Sequence, residues 1–501
     1  MDNDRMTVKT AQPDAVRIEL GRGEIYPLLL AGRFVAGEAT HMEVINPANG
    51  RGIGRVATAS QGQIDKAIVN GRKAALAPNG WATRLPHERA AVLYAIADDI
   101  TRNVDRIAEL QMYENGKTRK ESRGQALSAA GTFRYYAGVC ESLGEEMPPA
   151  RGDYFNITVH EPLGVVAALT PWNSPLTMAA QKIAPALAAG NAVVLKPAES
   201  TSLVTLALAD CCVAAGLPEG LLSVLLGGRE VGEGLVSHPR VDCISFTGGT
   251  ETGQAIARNV ADRLIPLILE LGGKSPHIVF ADADLPAAAK AVASGIFGGT
   301  GQSCVAGSRL FVEASAEDEF RELLIAEAEK MVVAPPDTPE AVIGPLASFA
   351  QRDRVESYVE LGLEEGARVS FGGKRPEGPK YAEGAYYLPT ILEGLNNRAR
   401  VAQEEIFGPV LCMIPFTDEQ DLVAQANDSA YGLASGIWTG DYKRAWRVAR
   451  GLEAGTVWIN TYKQLSIAAP FGGFKLSGLG REKGIQGVRS YQQSKSIYWG
   501  L

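Results

Sequence analysis

The chain has 501 residues, of which 46% are hydrophobic and 21% are charged, and its formal net charge is -8. This composition is typical of a soluble protein of two or three domains, and the negative balance argues against a nucleic-acid or anionic-membrane partner. Six cysteines without regular spacing predict a reducing compartment, the cytoplasm, and the sequence has neither a metal-ligand pattern nor an apolar run of membrane-spanning length.

The first part of the chain predicts a short hairpin followed by helices. Residues 1–23 are expected to form a flexible arm, and residues 25–35 a hairpin that turns at Ala31-Gly32. Apolar residues then recur at three- and four-residue steps from residue 61 to about residue 136, which predicts helices.

Two segments far apart in the chain alternate like strands at the edge of a sheet. Residues 154–160 lie within the segment 144–163, and residues 495–499 lie within the segment 488–501. We expect these strands to pair with each other or with their copies in another subunit. The two segments therefore predict a β oligomerisation unit in a homodimer or homotetramer.

The rest of the chain alternates strands and helices in two series. The first covers residues 164–272, and the second runs from residue 273 to about residue 470. Strands that alternate with helices predict parallel sheets, whose ligands bind beyond the carboxyl ends of the strands. The run Leu271-Gly-Gly-Lys274 between the two series is expected to act as a hinge.

Cys304 is the candidate nucleophile. It lies in the run Gly298-Gly-Thr-Gly-Gln-Ser-Cys-Val-Ala-Gly-Ser308, whose glycines let a ligand approach closely. A buried structural thiol on a tight turn is the alternative, and it is the more common role of a free cysteine. Four of the other cysteines lie in apolar runs, so Cys304 stands apart from them.

Polar side chains at predicted strand ends are further candidates. Glu270 is either a base whose pKa is raised by burial or a solubilising side chain. Asn173 is placed either to donate to an oxyanion or to form a turn. Lys196 and Glu199 suit the hydroxyls of a ribose, but a surface turn with a helix-capping glutamate explains them as well. Taken singly, the structural alternative is the more common one for each of Glu270 and Asn173.

A glycine turn precedes a predicted helix at Phe246-Thr-Gly-Gly-Thr-Glu-Thr-Gly253. Backbone N–H groups and the dipole at a helix N-terminus favour phosphate at such a turn. The turn matches neither the GxGxxG fingerprint nor a P-loop, and Gly227-Gly228…Gly232 is a weaker candidate of the same kind.

Seven motifs in one order resemble the NAD(P)-dependent aldehyde dehydrogenase superfamily, over about residues 25 to 500. They are Thr170-Pro-Trp-Asn-Ser-Pro, Lys196-Pro-Ala-Glu-Ser, Phe246-Thr-Gly-Gly-Thr-Glu-Thr-Gly, Leu269-Glu-Leu-Gly-Gly-Lys, Gly301-Gln-Ser-Cys, Glu404-Glu-Ile-Phe-Gly-Pro and Pro470-Phe-Gly-Gly-Phe-Lys-Leu-Ser-Gly. The resemblance implies an α/β fold with three parts: a doubly wound parallel-sheet NAD-binding domain (24–143 and 164–272), an α/β catalytic domain (273–470) and a small β oligomerisation unit.

The resemblance also implies oxidation of an aldehyde to a carboxylic acid. Cys304 matches the nucleophile that forms a thiohemiacetal and then a thioester, Asn173 and the Cys304 N–H match the oxyanion hole, and Glu270 matches the base that activates water. Lys182 matches a lysine placed for proton relay or ribose contact. The residues that match cofactor contacts are Thr170, Pro171, Trp172, Lys196, Glu199, Gly232, Phe246, Gly248, Gly249, Leu271, Glu405 and Phe407.

Two positions in the match bear on the choice of cofactor. Glu199 lies where the ribose 2′-oxygen is expected, so its carboxylate repels a 2′-phosphate and favours NAD over NADP, although Lys196 softens the repulsion. Many relatives have Ser where this chain has Gly249, so one hydroxyl contact to phosphate is expected to be missing.

The substrate residues implied by the match are uncharged, and none of them is aromatic. They are Ser174, Thr177, Gln181, Ser303 and Val305. Ala129, Ala130 and Gly131 are expected on the other wall, so the match predicts a wide cavity for a medium-sized or aromatic uncharged aldehyde, unless loop 461–467 fills it. Lys463 in that loop leaves a semialdehyde as the alternative.

Three rival functions stay open. A CoA-acylating aldehyde dehydrogenase passes its thioester to CoA, but that branch usually lacks a glutamate at the position of Glu270. A silent binding or structural protein on the same scaffold has no use for Cys304, Glu270 and Asn173 together, and a thiol esterase has no use for the cofactor residues. The expected partners are therefore a small aldehyde and NAD, with NADP possible, and no metal, nucleic acid or membrane.

Overall fold

A computed structural model describes residues 17–21 and 25–501, which form fifteen α-helices and 22 β-strands. The helices are α1 Gln61–Leu76, α2 Pro86–Arg102, α3 Val104–Asn115, α4 Arg119–Ser142, α5 Pro175–Ala188, α6 Ser202–Ala214, α7 Arg229–Ser237, α8 Thr250–Val260, α9 Leu285–Phe297, α10 Glu317–Glu329, α11 Phe349–Glu364, α12 Arg400–Gln403, α13 Glu419–Asn427, α14 Tyr442–Gly451 and α15 Gly484–Arg489. The strands are β1 Ile25–Tyr26, β2 Leu28–Leu30, β3 Arg33–Val35, β4 His41–Ile45, β5 Gly52–Ala57, β6 Tyr154–Pro162, β7 Val165–Thr170, β8 Ala192–Pro197, β9 Leu222–Val224, β10 Cys243–Thr247, β11 Leu267–Glu270, β12 Pro276–Val279, β13 Arg309–Glu313, β14 Arg368–Phe371, β15 Thr390–Glu393, β16 Val410–Phe416, β17 Tyr431–Gly432, β18 Ala434–Trp438, β19 Thr456–Ile459, β20 Phe474–Lys475, β21 Gly478–Leu479 and β22 Gln492–Gly500.

The first large sheet has its strands in the order β21-β11-β10-β7-β8-β9-β2-β3. Its five central strands are parallel, whereas β21 and the predicted β2–β3 hairpin add antiparallel edges. Every residue of β7 and β8 is buried, because helices cover a parallel sheet on both faces. The predicted doubly wound sheet is confirmed.

The chain leaves β7 toward β8 on one side of the sheet and later returns to place β10 on the other side. The strand order therefore reverses between β7 and β10. In open α/β sheets the ligand crevice lies at such a switch point, beyond the carboxyl ends of the strands. Thr170 ends β7, and Thr247 ends β10.

The second large sheet has the order β14-β15-β16-β13-β12-β18-β19. All neighbouring strands are parallel except β14, which is antiparallel to β15. Two apolar clusters pack against this sheet. The segment between β12 and β13 contains α9 and Cys304, so the sheet fixes both ends of the segment that carries the candidate nucleophile.

The segments predicted as an oligomerisation unit pair with each other inside the chain. β6 and β22 run antiparallel from Gln492 opposite Pro162 to Gly500 opposite Tyr154. The sequence left open whether the partner lies in the same chain, and the structure places it there. β22 nevertheless keeps large side chains such as Tyr498 and Trp499 exposed.

The apolar runs of the sequence predict strands over residues 264–271 and 386–392, and both observed strands begin later. β11 begins at Leu267 rather than at Leu264, because Leu264 adopts a left-handed backbone with φ 51 and is 90% exposed. β15 begins at Thr390 rather than at Tyr386, although Tyr386 is buried. Buried aromatic residues outside a ladder imitate a strand in the sequence pattern.

The part of the expected N-terminal arm that the structure describes is fixed by ion pairs. Arg17 donates to Asp99 at 2.8 Å and to Asp210 at 3.0 Å, and the N–H of the buried Ile18 donates to Asp210. Residues 1–16 and 22–24 lie outside the described residues. In the described residues, none of the helices combines the length and the apolar character that a membrane crossing needs.

Candidate active site

A cavity of 1060 Å³ contains most of the candidate residues. Cys304, Glu270 and Asn173 all line it. The other predicted residues in its wall are Pro171, Trp172, Ser174, Thr177, Gln181, Gly248, Gly249, Leu271, Ser303, Val305, Glu405 and Phe407. The structure therefore brings together residues from both large sheets, at the switch point of the first one.

Six predicted residues lie outside the wall of this cavity. They are Thr170, Lys182, Lys196, Glu199, Gly232 and Phe246. Lys196 and Glu199 form an ion pair at 2.7 Å at the carboxyl end of β8, beside the switch point. Gly232 lies in α7 and Phe246 lies in β10, where its ring packs against Gly248.

The nucleophile loop passes close to two glycines that were expected to form a hinge. A Cβ atom at Gly273 would overlap the carbonyl oxygen of Cys304, and a Cβ atom at Gly272 would overlap the carboxylate of Glu405. The N–H of Gly273 also donates to Glu405 at 2.9 Å. Because these residues are buried and closely packed, the Gly-Gly run gives the nucleophile loop its space rather than a hinge.

Cys304 is half-buried and free. Burial raises the pKa of its thiol to about 12, and the carboxylates of Glu405 and Glu270 act in the same direction. The thiol is therefore neutral at physiological pH. Attack on a carbonyl requires transfer of its proton to an acceptor in the cavity.

Asn173 is fixed to the loop that carries Cys304. Its side-chain Nδ2 donates to the carbonyl of Gln302 at 2.9 Å, two residues before the cysteine. The preceding residue is also held, because Asn115 donates to the carbonyl of Trp172 at 2.7 Å. One N–H of the Asn173 amide thus sets its position and leaves the other N–H for a ligand.

Glu270 ends β11 and is buried, and among the residues that the structure describes neither of its carboxylate oxygens has a hydrogen-bond partner. Burial raises the pKa of Glu270 well above its usual range, and the charge of Glu482 raises it further, whereas nearby cations act in the opposite direction. A buried carboxyl group without a partner is costly unless it serves a ligand or water. Its environment suits a general base.

Beneath Glu270 lies a buried polar network that the sequence pattern did not reveal. Lys182 is fully buried and donates to Glu482 at 2.6 Å and to Ser245 at 2.9 Å. Tyr491 also donates to Ser245, at 3.0 Å. Lys182 thus lies in the core outside the wall of the cavity, and its charge acts on Glu270 from there.

Glu482 and Lys483 are functional candidates that were missed. Both line the cavity, and Lys483 has a left-handed backbone with φ 60. Burial lowers the pKa of Lys483. The available signal was the run Arg481-Glu-Lys483, which places three charges between Gly480 and Gly484, directly after the last quoted motif.

The expected substrate wall on α4 needs a correction. Ala129 and Ala130 are fully buried in the core, and Gly131 lines the cavity together with Ser128 and Thr132. Consecutive helical residues point in directions about 100° apart, so three neighbours cannot all face one cavity. The loop after β19 also contributes, because Leu465 and Ile467 line the cavity.

The cofactor side of the cavity has the features of a phosphate and ribose site. Gly249 is the N-cap of α8, and a Cβ atom there would meet nothing within 4 Å. Residues 250–252 in the first turn of α8 also line the cavity, so the N-terminus of this helix lies at its wall. Phe407 packs edge-on against Trp172, with 5.3 Å between ring centroids, and Gln351 holds the backbone of Phe407 through a 2.9 Å hydrogen bond.

Comparison with known proteins gives one consistent result. Residues 34–497 match the aldehyde dehydrogenase family. A betaine aldehyde dehydrogenase of Bacillus subtilis (strain 168) is 41% identical over 474 residues, which are 94% of this chain and 96% of that protein. The (Z)-2-((N-methylformamido)methylene)-5-hydroxybutyrolactone dehydrogenase of Acinetobacter baylyi is 40% identical, over 94% of this chain and 96% of that protein.

Solved structures agree with this result. The indole-3-acetaldehyde dehydrogenase of P. syringae, in complex with NAD+, superposes with a TM-score of 0.93 at 37% identity and covers 95% of this chain and 96% of that chain. A betaine aldehyde dehydrogenase of Staphylococcus aureus, in complex with NAD+ and with a modified cysteine, gives a TM-score of 0.92 at 37% identity, with coverage of 95% and 96%. With this fold and this cysteine-centred cavity, the chain belongs to the aldehyde dehydrogenase family.

Proposed function

We propose that the protein oxidises an aldehyde to a carboxylic acid with NAD as oxidant and water as acceptor. The observation that carries the proposal is the cavity itself, in which the thiol of Cys304 and the unpartnered carboxyl group of Glu270 lie together. A nucleophile and a base in one cavity are what acyl formation and hydrolysis require.

The first step is the addition of the Cys304 sulfur to the aldehyde carbon. The thiol proton passes to an acceptor in the cavity as the carbon–sulfur bond forms. The carbonyl oxygen becomes a negatively charged oxygen, which accepts hydrogen bonds from the Asn173 amide and the Cys304 N–H. The product is a thiohemiacetal on Cys304.

The residues fit a dinucleotide cofactor. The open N-terminus of α8 at Gly249 suits a pyrophosphate, the Lys196–Glu199 pair suits ribose hydroxyls, and the carboxylate of Glu405 faces the cavity near Cys304. When bound, NAD+ supplies the two-electron oxidation by accepting hydride from the carbon attached to Cys304. The crystal structures of relatives in complex with NAD+ support this assignment.

The second half of the reaction is hydrolysis of the resulting thioester. Glu270 removes a proton from water as the water attacks the acyl carbon, and the bond to Cys304 breaks to release the carboxylic acid. The Lys182–Glu482 pair beneath Glu270 offers the proton a route away from the cavity. The presence of this base favours water over CoA as the acceptor.

The substrate proposed is a medium-sized or aromatic aldehyde. The side chains of Ser174, Thr177 and Ser303 leave a wide cavity, although Leu465 and Ile467 occupy part of it. The named relatives act on aldehydes of this size range, betaine aldehyde and indole-3-acetaldehyde.

We also propose a cytoplasmic homodimer or homotetramer. All six cysteines are free, which suits a reducing compartment. The exposed aromatic residues Tyr498 and Trp499 on β22 suit a contact with a second copy. Light scattering at micromolar concentration tests the oligomer, and a monomer would refute it.

The function is tested by NADH formation from propanal. We expect NADH without added CoA, no increase when CoA is supplied, and complete loss after treatment with a thiol-blocking reagent. A requirement for CoA would indicate the acylating reaction instead. Hydrolysis of an ester without any NADH formation from aldehydes would indicate a thiol esterase.

Glu199 is proposed to set the preference for NAD over NADP. It is half-exposed and bound to Lys196, so its repulsion of a 2′-phosphate is modest. Replacing Glu199 with Gln is expected to raise kcat/KM for NADP relative to NAD by a few-fold. Equal use of both cofactors by the unmodified protein would contradict the assignment.

A further inference from the structure

A second cavity opens beside the catalytic one and contains two lysines. This side cavity has a volume of 330 Å³, and Lys117 and Lys463 lie in its wall. Four residues belong to the walls of both cavities, namely Ser128, Ser174, Thr177 and Ser303. The two spaces are therefore adjacent, and the far end of a substrate held at Cys304 can reach the side cavity.

The backbone places both lysines firmly at the side cavity. Lys117 follows the left-handed Gly116 that ends α3, is buried, and extends to the nucleophile loop, where a Cβ atom built at Gly299 would lie 3.5 Å from its Nζ. Lys463 has a left-handed backbone with φ 56. Such a conformation is uncommon for a non-glycine residue and is found at ligand sites.

Neither ammonium group has an ion-pair or hydrogen-bond partner within residues 17–21 and 25–501. The carboxylate in the side-cavity wall is that of Glu121, whose charge raises the pKa of both lysines but whose oxygens are hydrogen-bonded to other groups. It accepts bonds at 3.0 Å from the N–H groups of Thr118 and Gly299 and from the Thr118 hydroxyl. The side cavity therefore has an excess of positive charge.

The charge of Lys117 also disfavours the charged form of Lys463. Burial lowers the pKa of Lys463 to about 8, and the charge of Lys117 lowers it further, against the opposite effect of Cys304 and Glu121. Burial lowers the pKa of Lys117 as well. An anion between the two ammonium groups would relieve both the repulsion and the lack of solvation.

We propose that the side cavity binds a carboxylate at the far end of the aldehyde substrate, with Lys117 and Lys463 as the binding residues. This inference rests on the proposed function and narrows its substrate class to aldehydes that carry a carboxylate, such as semialdehydes or formylbenzoates. Charge-assisted hydrogen bonds from the ammonium groups of the buried Lys117 and the half-buried Lys463 select strongly for such a group. It replaces the uncharged substrate that the small side chains alone suggested.

The test compares matched pairs of aldehydes on the unmodified protein. The pairs are butanal and succinic semialdehyde, hexanal and 6-oxohexanoate, and benzaldehyde and 4-formylbenzoate. We expect the carboxylate member of at least one pair to have a kcat/KM at least tenfold higher. The pair with the largest ratio reports the distance between Cys304 and the lysines. A ratio of one or less in all three pairs overturns the inference.

Lysine variants show whether the preference comes from the side cavity. Lys463→Met and Lys117→Met are each expected to lower the charged-to-uncharged ratio of kcat/KM by about tenfold or more, and Lys463→Arg to keep most of it. Lys290→Met, which removes an exposed lysine from α9, is the control and leaves the ratio unchanged. The ratio cancels any effect of the variants on the Cys304 thiol.

The outcomes separate this inference from the proposed function. In one outcome, the protein forms NADH from uncharged aldehydes and keeps its preference for carboxylate aldehydes after both lysine substitutions. That result would show that the side cavity does not bind the carboxylate, and it would leave the proposed function unaffected. The absence of NADH from every aldehyde in the panel overturns both. If one of the methionine variants does not fold, Lys463→Arg and the unmodified protein still decide the question.

Discussion

The active site has charged side chains at two ends, the Lys182–Glu482 pair beneath Glu270 and the two lysines of the side cavity. The charges of the first end are balanced, whereas those of the second are not. Beneath Glu270, Lys182 is paired with Glu482 at 2.6 Å and donates one hydrogen bond to Ser245. In the side cavity, Lys117 and Lys463 repel each other and the nearby Glu121 is engaged elsewhere. The difference indicates that balanced charges serve the chemistry, which recurs in every turnover, whereas unbalanced charges serve a ligand that brings its own charge.

Cys304 lies between the two ends, and its removal is expected to have the largest effect. Cys304→Ala should reduce NADH formation at least about 10⁴-fold, because no other group in the cavity forms the covalent intermediate. Cofactor binding, measured by fluorescence titration, should persist. Cys140→Ser is the control, since Cys140 is buried on α4 and donates only to backbone carbonyls. Turnover in the alanine variant would refute the mechanism.

Glu270→Gln is expected to slow hydrolysis more than oxidation. A buried amide accepts no proton from water, so the thioester accumulates, and stopped-flow absorbance should show a burst of NADH followed by a steady rate about 10²- to 10³-fold below normal. The same variant should remain folded, because Glu270 has no hydrogen-bond partner to lose. An unchanged steady rate without a burst would exclude Glu270 as the base.

One substitution disrupts the Lys182–Glu482 ion pair, and a second restores the charge balance. Glu482→Gln leaves Lys182 buried without its carboxylate and is expected to lower the free energy of unfolding by about 3 to 5 kcal/mol. Combining it with Lys182→Met removes the stranded charge and should recover much of the loss. Denaturant titration measures both, and equal destabilisation in the single and double variants would contradict the charge-balance account.

The two lysines of the side cavity predict that the preference for carboxylate aldehydes, measured as a ratio of kcat/KM values, changes a few-fold with pH. The pKa of Lys463 is lowered to about 8, so its charge is present below pH 8 and is lost as the pH rises through that value. The preference for a carboxylate aldehyde over its uncharged match should therefore decline between about pH 7 and pH 9. Because Lys117, Glu121 and Cys304 also face Lys463, the ratio in Lys463→Arg is the reference, and it should stay level.

The sequence was sufficient to predict features that depend on residues close together in the chain. The buried strands β7 and β8 are continuous apolar runs, and the motifs around Cys304 and Glu270 identified residues that the fold brings into one cavity. Glu482 was missed because its partner Lys182 is far away in the chain and no local pattern links a buried lysine to a distant glutamate.

Two further features could not be predicted from the sequence. They are which residue of α4 faces the cavity and which groups pack against Gly272 and Gly273. Ala129, Ala130 and Gly131 are all small, so the pattern did not reveal which of them faces the cavity. Gly272 and Gly273 were interpreted as a hinge because glycine is typical of flexible segments, whereas here they give space to the Cys304 carbonyl and the Glu405 carboxylate. Both errors concern neighbours that only the folded chain supplies.

The Lys182–Glu482 pair also has a consequence for biosynthesis. A chain is made from its N-terminus, so Cys304, Glu270 and Lys182 exist before Glu482 does. Strand β21 pairs with β11, and strand β22 pairs with β6. Both β21 and β22 lie between residues 478 and 500, so they are also made after the strands with which they pair. The catalytic centre therefore gains its charge balance only once residues 478–500 have been made, and a chain that stops before them carries the nucleophile without the environment that makes it useful.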